Sequence, residues 1–333
     1  MSRNSNVGRS VTLVTEAYNL SEGQSEQAFV RAVREIGRLA KNSPGMETLV
    51  TDPSLDGIAT SLVVDEFPNV RVLHLPGQSY DRQKNSVAAV ARGEIMVFLD
   101  GDCHPESEAW LDAILSPFAD EAVAAVAGLT LYDDVSVTGI AMSILDFGFL
   151  FGTEGTIPGC YASNNVAFRR TAFLKTPIPE SELMRCCCFK HAQDLTRSGV
   201  PIWLQPSALV AHELPDVRTE RLRRGYDHVA ALWVDPLLAE TEWLDFDNEV
   251  LVRHIIEQNF ALASQRLNGA PPALRITSAN RESVVREIKD LMQIDAVGIR
   301  QALSFGEAQG LNRRALDLHR RGKNDGRNNR NAQ

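Results

Sequence analysis

Two aspartates separated by one glycine, Asp100 and Asp102, directly follow the apolar run IMVFL at residues 95–99. Such a run predicts a buried strand, and two carboxylates at its end repel each other unless a cation lies between them. Mg²⁺ and Mn²⁺ prefer oxygen ligands and often bridge a carboxylate to a diphosphate. Gly101 permits the tight turn that brings both carboxylates to one ligand. The alternative is structural, because aspartates also cap helices and a helix is expected from about Glu106.

Polar residues also follow two other runs that predict strands. Glu16, Tyr18 and Asn19 follow the first run, VTLVT, and Asp52 follows the second. Ligands of open α/β sheets bind beyond the carboxyl ends of the strands, so these residues are expected at one edge. The sequence has no GxGxxG at its first helix and no GxxxxGK[ST], which argues against a dinucleotide fingerprint and a Walker-type phosphate loop.

The segments that must position these residues alternate between the hydrophobic period of a strand and that of a helix. Strands are predicted at residues 11–15, 48–51, 70–75 and 95–99, and helices are predicted at residues 25–39, 58–66 and 83–91. Strands separated by helices indicate βαβ units. We therefore predict an α/β fold with a mostly parallel, twisted sheet flanked by helices.

Composition excludes several classes of protein. The chain has 333 residues, 44% of them hydrophobic, which is enough for one large core or two smaller ones. Its net charge of -9 argues against a nucleic-acid binder that relies on a broad basic surface. Five cysteines without paired spacing argue against a disulfide framework, and the polar start MSRNSNVGRS lacks the order of a signal peptide. We therefore expect a cytoplasmic protein.

Six segments, taken in order, resemble the motif series of family 2 glycosyltransferases with the GT-A fold. They are VTLVTEAYN, LVTDPSLDG, RQKN, GEIMVFLDGDCHPESEAWL, SNNVAFRR and GVPIWLQPSALVAH, and they cover roughly residues 10–215. Each segment alone is a weak signal, whereas six in the correct order are specific. The resemblance implies transfer of a sugar from a nucleotide-sugar donor to a hydroxyl of a glycan, lipid or protein acceptor, with inversion and with Mn²⁺ or Mg²⁺ as cofactor.

The resemblance also implies roles for individual residues. Asp102 would be the main ligand of the metal, and His212 would complete the metal site. The residues implied in binding the nucleotide-sugar are Glu16 and Tyr18 at the base, Asp52 at the base or ribose, Asp100 at the ribose or a metal-bound water, Arg82, Lys84 and Asn85 near the diphosphate, and Asn165 in the acceptor or sugar pocket. Tyr18 packing on the sheet edge and asparagines that form turns remain alternatives.

The sequence departs from the family pattern where an acidic pair is expected. Family members typically carry Glu-Asp about a dozen residues before the glycine that matches Gly199, and here Cys187 and Cys188 occupy those positions. Neither thiol is a natural base for an alcohol. Three cysteines in a row cannot all face one ion without strain, so we expect the run to form a buried turn or to line an acceptor pocket.

An inverting transfer needs a carboxylate or imidazole within about 3 Å of the acceptor hydroxyl. The candidates near the cysteines are Glu180, Glu182, His191 and Asp194. We predict Asp194 as the base, because QDL resembles a shortened acidic helix start. Glu182, on the loop before the cysteines, is the alternative.

We expect four regions in the chain. These are a flexible N-terminus (1–9), a GT-A domain (10–235, with a nucleotide-binding half at 10–103 and an acceptor half at 104–235), a helical region (236–318) and a disordered basic tail (319–333). The helical region would serve dimerisation, acceptor binding or membrane contact. The apolar segment 140–152 is too short to span a bilayer, which leaves a buried helix or a peripheral position on a membrane.

A helix is also expected after His212, in the segment TERLRRGYDHVAALW. Its Arg221, Arg223 and Arg224 fit either a basic segment that stabilises the departing diphosphate or a solvated helix face.

Two other functions remain open. One is a catalytically degenerate GT-A protein that binds nucleotide or glycan without transfer, which the missing acidic pair supports. The other is a nucleotidyltransferase that makes sugar nucleotides, but it predicts a basic glycine-rich loop after the first strand. The segment EAYNLSEGQ has no basic residue.

Overall fold

The computed structural model describes residues 10–22, 26–41, 45–64, 67–156, 158–235 and 247–318, so both predicted flexible ends lie outside the described residues. The described residues form two compact units. The first, called the sheet unit, contains the residues up to 134 together with 146–180 and 185–213. The second, called the helical unit, contains residues 135–145 and 181–184 and those from 214 onward. The helices expected in the region 236–318 thus belong to the same unit as the helix predicted after His212 and as residues 140–145 of the apolar segment.

One eight-stranded sheet forms the centre of the sheet unit. Its strands are β1 (Val11–Glu16), β2 (Glu47–Asp52), β3 (Arg71–His74), β4 (Ile95–Leu99), β5 (Cys103–Pro105), β6 (Ala125–Tyr132), β7 (Asn165–Arg169) and β8 (Ile202–His212). They lie in the order β3-β2-β1-β4-β7-β6-β8-β5. The first four are parallel, as predicted, whereas β7 runs against β4 and β6, and β5 runs against β8. Strands β6 and β8 run in the same direction as β1–β4, so the sheet is mostly parallel, as predicted, and only β5 and β7 make it mixed.

Helices cover both faces of the sheet. Those of the sheet unit are α1 (Glu26–Lys41), α2 (Ile58–Val64), α3 (Tyr80–Val90), α4 (Trp110–Leu115), α6 (Arg170–Lys175) and α7 (Cys188–Arg197). Val97 and Leu99 of β4 pack in one core with residues of α1, α2 and α4. Phe98, which points to the other face because side chains alternate along a strand, contacts Phe173 of α6 with ring centroids 5.9 Å apart. Burial on both faces explains why β4 is a continuous apolar run.

The helical unit contains α8 (Val217–Val234), α9 (Asn248–Asn268), α10 (Arg281–Ala308) and most of α5 (Val137–Phe147). The backbones of helices α8 and α10 are in contact at Gly225. A Cβ atom at this position would lie only 2.1 Å from the carbonyl oxygen of Asp295. The buried guanidinium of Arg221 donates hydrogen bonds to both oxygens of Asp295, at 2.7 and 3.1 Å. Arg221 therefore belongs to a helix interface rather than to a solvated helix face.

The apolar segment 140–152 forms the end of α5 and a 3-10 turn over Gly148–Leu150. Ile140, Met142 and Ile144 are almost completely buried. The segment is thus a buried helix, one of the two readings of the sequence. In the part of the chain that the structure describes, no helix is long and apolar enough to cross a bilayer.

Candidate active site

Three carboxylates meet where β1 and β4 end. Glu16 is the last residue of β1, and Asp100 and Asp102 follow β4, which is the parallel neighbour of β1. The side-chain amide of Asn19 joins them, because its nitrogen donates to Asp102 Oδ2 at 2.6 Å and to Glu16 Oε1 at 3.3 Å. The structure thus brings together the polar strand ends that the sequence predicts at one edge. We call Glu16, Asp100 and Asp102 the carboxylate cluster.

Lys84 is the buried counter-ion of Asp100. Its ammonium donates to Asp100 Oδ1 at 2.8 Å and to the carbonyl oxygen of Ser163 at 3.1 Å. It also lies 4.4 Å from the centre of the Tyr80 ring, and the Tyr80 hydroxyl donates to Asp100. Burial alone would lower the pKa of Lys84, but Asp100 and Glu16 outweigh it and raise that pKa. Lys84 therefore neutralises Asp100, and its predicted place near a diphosphate stays a prediction.

The three carboxylates of the cluster oppose ionisation of one another. Burial raises the pKa of Glu16 well above its usual value, and repulsion from Asp100 and Asp102 raises it further. Burial also raises the pKa of Asp100, which Lys84 opposes and Asp102 reinforces. An additional cation at this edge would stabilise all three groups, because opposite charges favour the ionised form of a carboxyl.

Asp102 and His212 lie together, as the sequence predicts. Cys103 of β5 pairs with His212 of β8, so their side chains share one side of the sheet. The Nε2 atom of His212 lies 3.5 Å from Asp102 Oδ2, and its Nδ1–H donates to the carbonyl oxygen of Glu213 at 2.7 Å. That bond fixes the proton on Nδ1 and leaves the lone pair of Nε2 on the side of Asp102.

Cys103 was not singled out from the sequence, although it directly follows Asp102. One ligand atom from each of Asp102, Cys103 and His212 lies within 4.8 Å of the others. Burial raises the pKa of the Cys103 thiol well above its usual value, and Asp102 adds to the effect. The thiol is therefore protonated at neutral pH, and the donors suited to Mn²⁺ or Mg²⁺ are the carboxylate and the imidazole.

Asp52 has a structural role in the turn before α2. One of its oxygens accepts from the backbone N–H and the hydroxyl of Ser54, and the other accepts from the same two groups of Thr60. Although burial opposes it, these bonds hold the pKa of Asp52 below its usual value. The four acceptor positions of the carboxylate are thereby filled. A role of Asp52 at a base or ribose stays a prediction.

Asn165 joins three strands. Its side-chain nitrogen donates to the carbonyl oxygens of Leu129 and Ala208, and its oxygen accepts from the indole N–H of Trp110. The bonds to Leu129 and Ala208 satisfy backbone groups where the register of β6 and β8 shifts. Both N–H groups of this amide are thereby used within the sheet, and a binding role for Asn165 stays a prediction.

Arg82 and Asn85 face the segment after α6. Asn85 bonds to both the N–H and the carbonyl oxygen of Ile178, at 3.0 and 2.9 Å. Arg82 is exposed and its Nε lies 4.0 Å from a carboxylate oxygen of Glu180. Asn85 thus anchors this segment, and a role of either side chain at a diphosphate stays a prediction.

Asp194, the predicted base, is engaged within its own helix. Its carboxylate accepts hydrogen bonds from Lys190 and Arg197 of α7. It lies seven residues beyond the helix cap at Cys187, or about 10 Å along the axis. No contact joins it to the carboxylate cluster within the described ranges. Glu182, the alternative, belongs to the helical unit and stays a prediction.

The three cysteines at the start of α7 have different surroundings. The Cys186 sulfur lies 3.3 Å from the Ser163 hydroxyl, and the Cys188 sulfur lies 3.9 Å from that of Cys160. The backbone N–H of Cys187 donates to Asp81 Oδ2 at 2.8 Å. The run is therefore a partly buried turn, in agreement with one reading of the sequence.

Arg185 is a residue of the site that the sequence did not reveal. Its guanidinium donates to the side-chain oxygen of Asn19 and lies 5.5 and 5.7 Å from the ring centres of Tyr18 and Tyr80. It also lowers the pKa of Glu16, against the effect of burial. No motif covers this position, and the only signal is a basic residue directly before the cysteines.

We expect Lys84→Met to lower the free energy of unfolding by about 3–5 kcal/mol, because Asp100 would be left buried without a counter-charge. Urea denaturation measures the loss. The double variant Lys84→Met/Asp100→Asn should recover part of it. Arg82→Met, which removes an exposed cation from the same helix, is the control. Equal small losses in the Lys84 and Arg82 variants would contradict the buried pair.

A second prediction concerns Asp81, whose Oδ1 has no hydrogen-bond partner among the described residues. Burial raises the pKa of Asp81 from 3.8 to about 7. The charge of Lys84 and the thiols of Cys186 and Cys187 lower this pKa, but their effect is smaller than that of burial. The unfolded chain therefore ionises first, so folding stability should fall as pH rises from about 4 to 7, by about 4 kcal/mol at most.

Asp81→Asn should remove this pH dependence, and urea unfolding of both proteins between pH 4 and 8 measures the difference. Asp112→Asn, which removes one exposed carboxylate from α4, is the control. A constant difference between the wild type and the Asp81 variant across this range would refute the prediction.

Part of the chain is similar to a known protein family. Residues 49–176 match the family model described as Glycosyl transferase family 2. The matched stretch includes Asp100 and Asp102 and ends before Asp194 and His212. Among curated proteins, none matches the chain significantly.

Solved structures resemble the chain more extensively. A mannosyltransferase from Pyrobaculum calidifontis, in complex with GDP-Man and Mn²⁺, matches with a TM-score of 0.59 and 16% identity over 90% of this chain and 90% of that chain. Glucosyl-3-phosphoglycerate synthase from Mycobacterium tuberculosis, in complex with Mg²⁺ and uridine diphosphate, matches with a TM-score of 0.47 and 16% identity over 68% of this chain and 79% of that chain. The first likeness establishes that the chain has the GT-A fold, and residues 49–176 within that fold are similar to the Glycosyl transferase family 2 model.

Proposed function

We propose that this protein transfers a sugar from a nucleoside-diphosphate-sugar to an acceptor hydroxyl, with a divalent metal and with inversion at the anomeric carbon. The observation that carries the proposal is the carboxylate cluster beside the Nε2 atom of His212, at the ends of β1 and β4. A cluster of mutually repelling carboxylates next to an imidazole lone pair fits a hard or borderline cation. Its position beyond the strand ends fits a nucleotide.

Asp102 and His212 are the residues that would hold the metal, either Mn²⁺ or Mg²⁺. The Pyrobaculum mannosyltransferase was solved with Mn²⁺ and a nucleotide-sugar, which is consistent with this assignment. When bound, the cation neutralises the negative charge that grows on the departing diphosphate. Lys84 holds Asp100 in place, and Asn19 orients the carboxylate of Asp102.

The nucleoside would lie against Glu16 and Tyr18. Tyr18 is partly exposed, and its ring meets Tyr80 edge to face at 5.8 Å between centroids. Its backbone N–H donates to Glu16, which orients that carboxylate. Asp52 shapes the turn before α2 through its bonds to Ser54 and Thr60.

The base that takes the acceptor proton is proposed to be Asp194 or, as the alternative, Glu182. The carboxylate of Asp194 is bound by Lys190 and Arg197 of its own helix. The proposal includes the cytoplasmic location predicted from the sequence.

A GT-A domain that binds its ligand without transfer is the second candidate. The observation in its favour is the start of α7, where Cys187 and Cys188 replace the acidic pair and the nearest acid of the helix is tied to Lys190 and Arg197. The two functions share a donor site and differ in turnover.

The test is to incubate the protein with a panel of nucleotide-sugars and Mn²⁺ or Mg²⁺ and to measure the release of nucleoside diphosphate, with and without acceptors from cell extract. Asp102→Asn and His212→Ala should each weaken Mn²⁺ binding by about 10-fold or more and abolish metal-dependent release. Asp112→Asn, on α4, should change neither. Unchanged Mn²⁺ binding in Asp102→Asn would refute the metal site, and tight donor binding without turnover under all conditions would favour the second candidate.

The base is tested by two single variants in the same assay. We expect Asp194→Asn to lower turnover by about 10²–10⁴-fold with donor affinity unchanged, because only proton transfer is lost. Glu182→Gln should then retain most of the turnover. The reverse pattern would give the role to Glu182, and full turnover in both variants would exclude both residues.

A further inference from the structure

Arg185 lies at the carboxylate cluster but has no role in the mechanism above. Its guanidinium donates to Asn19 Oδ1, and the nitrogen of the same amide donates to Asp102 Oδ2 at 2.6 Å. One amide therefore links the guanidinium to a predicted ligand of the metal. The side chain also lies over the rings of Tyr18 and Tyr80, within the range of cation–π attraction.

The chain that carries Arg185 is held in place on its C-terminal side. The N–H of Cys187 bonds to Asp81 of α3, and the thiol of Cys186 contacts Ser163, whose hydroxyl lies 2.9 Å from that of Tyr80. The backbone next to Arg185 is thus fixed against the same residues that orient Asp100. A long side chain on a fixed backbone can reorient its guanidinium without leaving the site.

The basic residues that the sequence placed near the diphosphate have other partners. Lys84 is buried against Asp100, and Arg82 lies 4.0 Å from Glu180. Arg221 pairs with Asp295 inside the helical unit. A nucleoside diphosphate brings two to three negative charges to an edge that is already acidic, so it needs a cation from the chain besides the metal.

We propose that Arg185 binds the diphosphate of the donor and fixes it beside the metal, an inference that rests on the proposed function. A guanidinium is a planar fork with five N–H donors, which matches two oxygens of a phosphate, and it keeps its charge at any physiological pH. The diphosphate gains charge as it departs, so the same contact would stabilise the leaving group. Tyr18 and Tyr80 would support the guanidinium from the side of the nucleoside.

The test separates binding of phosphate from binding of the nucleoside. Calorimetry measures the affinities of UDP, GDP, CDP, ADP and dTDP and of their nucleosides in the presence of Mn²⁺, for the wild type and for Arg185→Gln and Arg185→Lys. We expect Arg185→Gln to lower the affinity for the preferred nucleoside diphosphate by about 10–100-fold. The affinity for the nucleoside should stay within about twofold of the wild-type value. Arg185→Lys should recover part of the loss, because it restores the charge but not the fork.

For Mn²⁺ alone, the expected change in affinity is opposite in sign to that for the nucleoside diphosphate. Mn²⁺ alone should bind Arg185→Gln at least as tightly as the wild type, because a positive charge near the carboxylate cluster has been removed. A variant that was merely misfolded would lose both affinities. Arg197→Gln, which removes a guanidinium that pairs with Asp194 on α7, is the matched control and should change neither affinity.

The outcomes distinguish this inference from the function on which it rests. If the wild type binds a nucleoside diphosphate and Arg185→Gln binds it equally well, the inference is wrong and the donor site stands. An equal loss of nucleoside and nucleoside diphosphate would show that Arg185 only supports the aromatic rings, which also overturns it. If the wild type binds no nucleoside diphosphate with Mn²⁺, both the proposed function and the inference fail.

Discussion

Lys84 and Asp100 form an ion pair inside the sheet unit, with 2.8 Å between the charged atoms and both side chains almost completely buried. Removing two charges from water is costly, and an ion pair persists there only with good geometry and further hydrogen bonds. Tyr80 and the carbonyl oxygen of Ser163 provide those bonds. The pair therefore ties α3, the end of β4 and the loop before β7 into one arrangement, and Asp102 takes its position from it.

The ion pair also sets the charge balance at the edge of the sheet. Because Lys84 is committed to Asp100, Glu16 and Asp102 depend on other partners. Asn19 contacts both carboxylates but brings no charge, and the guanidinium of Arg185 binds that amide and lowers the pKa of Glu16. This edge of the sheet thus combines a fixed cation, Lys84, with carboxylates that favour the binding of a further cation. Such an arrangement suits a ligand that arrives together with a metal ion.

Much of the fold was predictable from the sequence, because the alternation of strands and helices is strong in its first half. The positions of Asp102 and His212 were also predictable, since they follow strands at the binding edge. The sequence did not show that Asp52 and Asn165 bind backbone groups and neighbouring side chains, because polar residues at strand ends serve ligands and backbone groups equally well. It also did not show that Lys84 is buried against Asp100.

The remaining residues depend on contacts between distant segments. Arg185 meets Tyr18 and Asn19 although more than 160 positions separate them in the chain, and no local pattern encodes such a contact. Asp194 was favoured from the letters QDL, but helix neighbours three and four residues away have the first access to an acidic side chain. Local sequence therefore identified the strand ends and failed where tertiary partners decide what a side chain does.

The pairing of β5 with β8 matters for how the protein is made on the ribosome. Asp102 emerges with the first third of the chain, whereas His212 joins it only when β8 enters the sheet between β6 and β5. A nascent chain shorter than this carries the acidic edge without its imidazole. Because domains gain their long-range contacts late in synthesis, the ability to retain a metal ion would appear only after the sheet is complete. Capture of a cation would then mark a finished domain rather than guide its early folding.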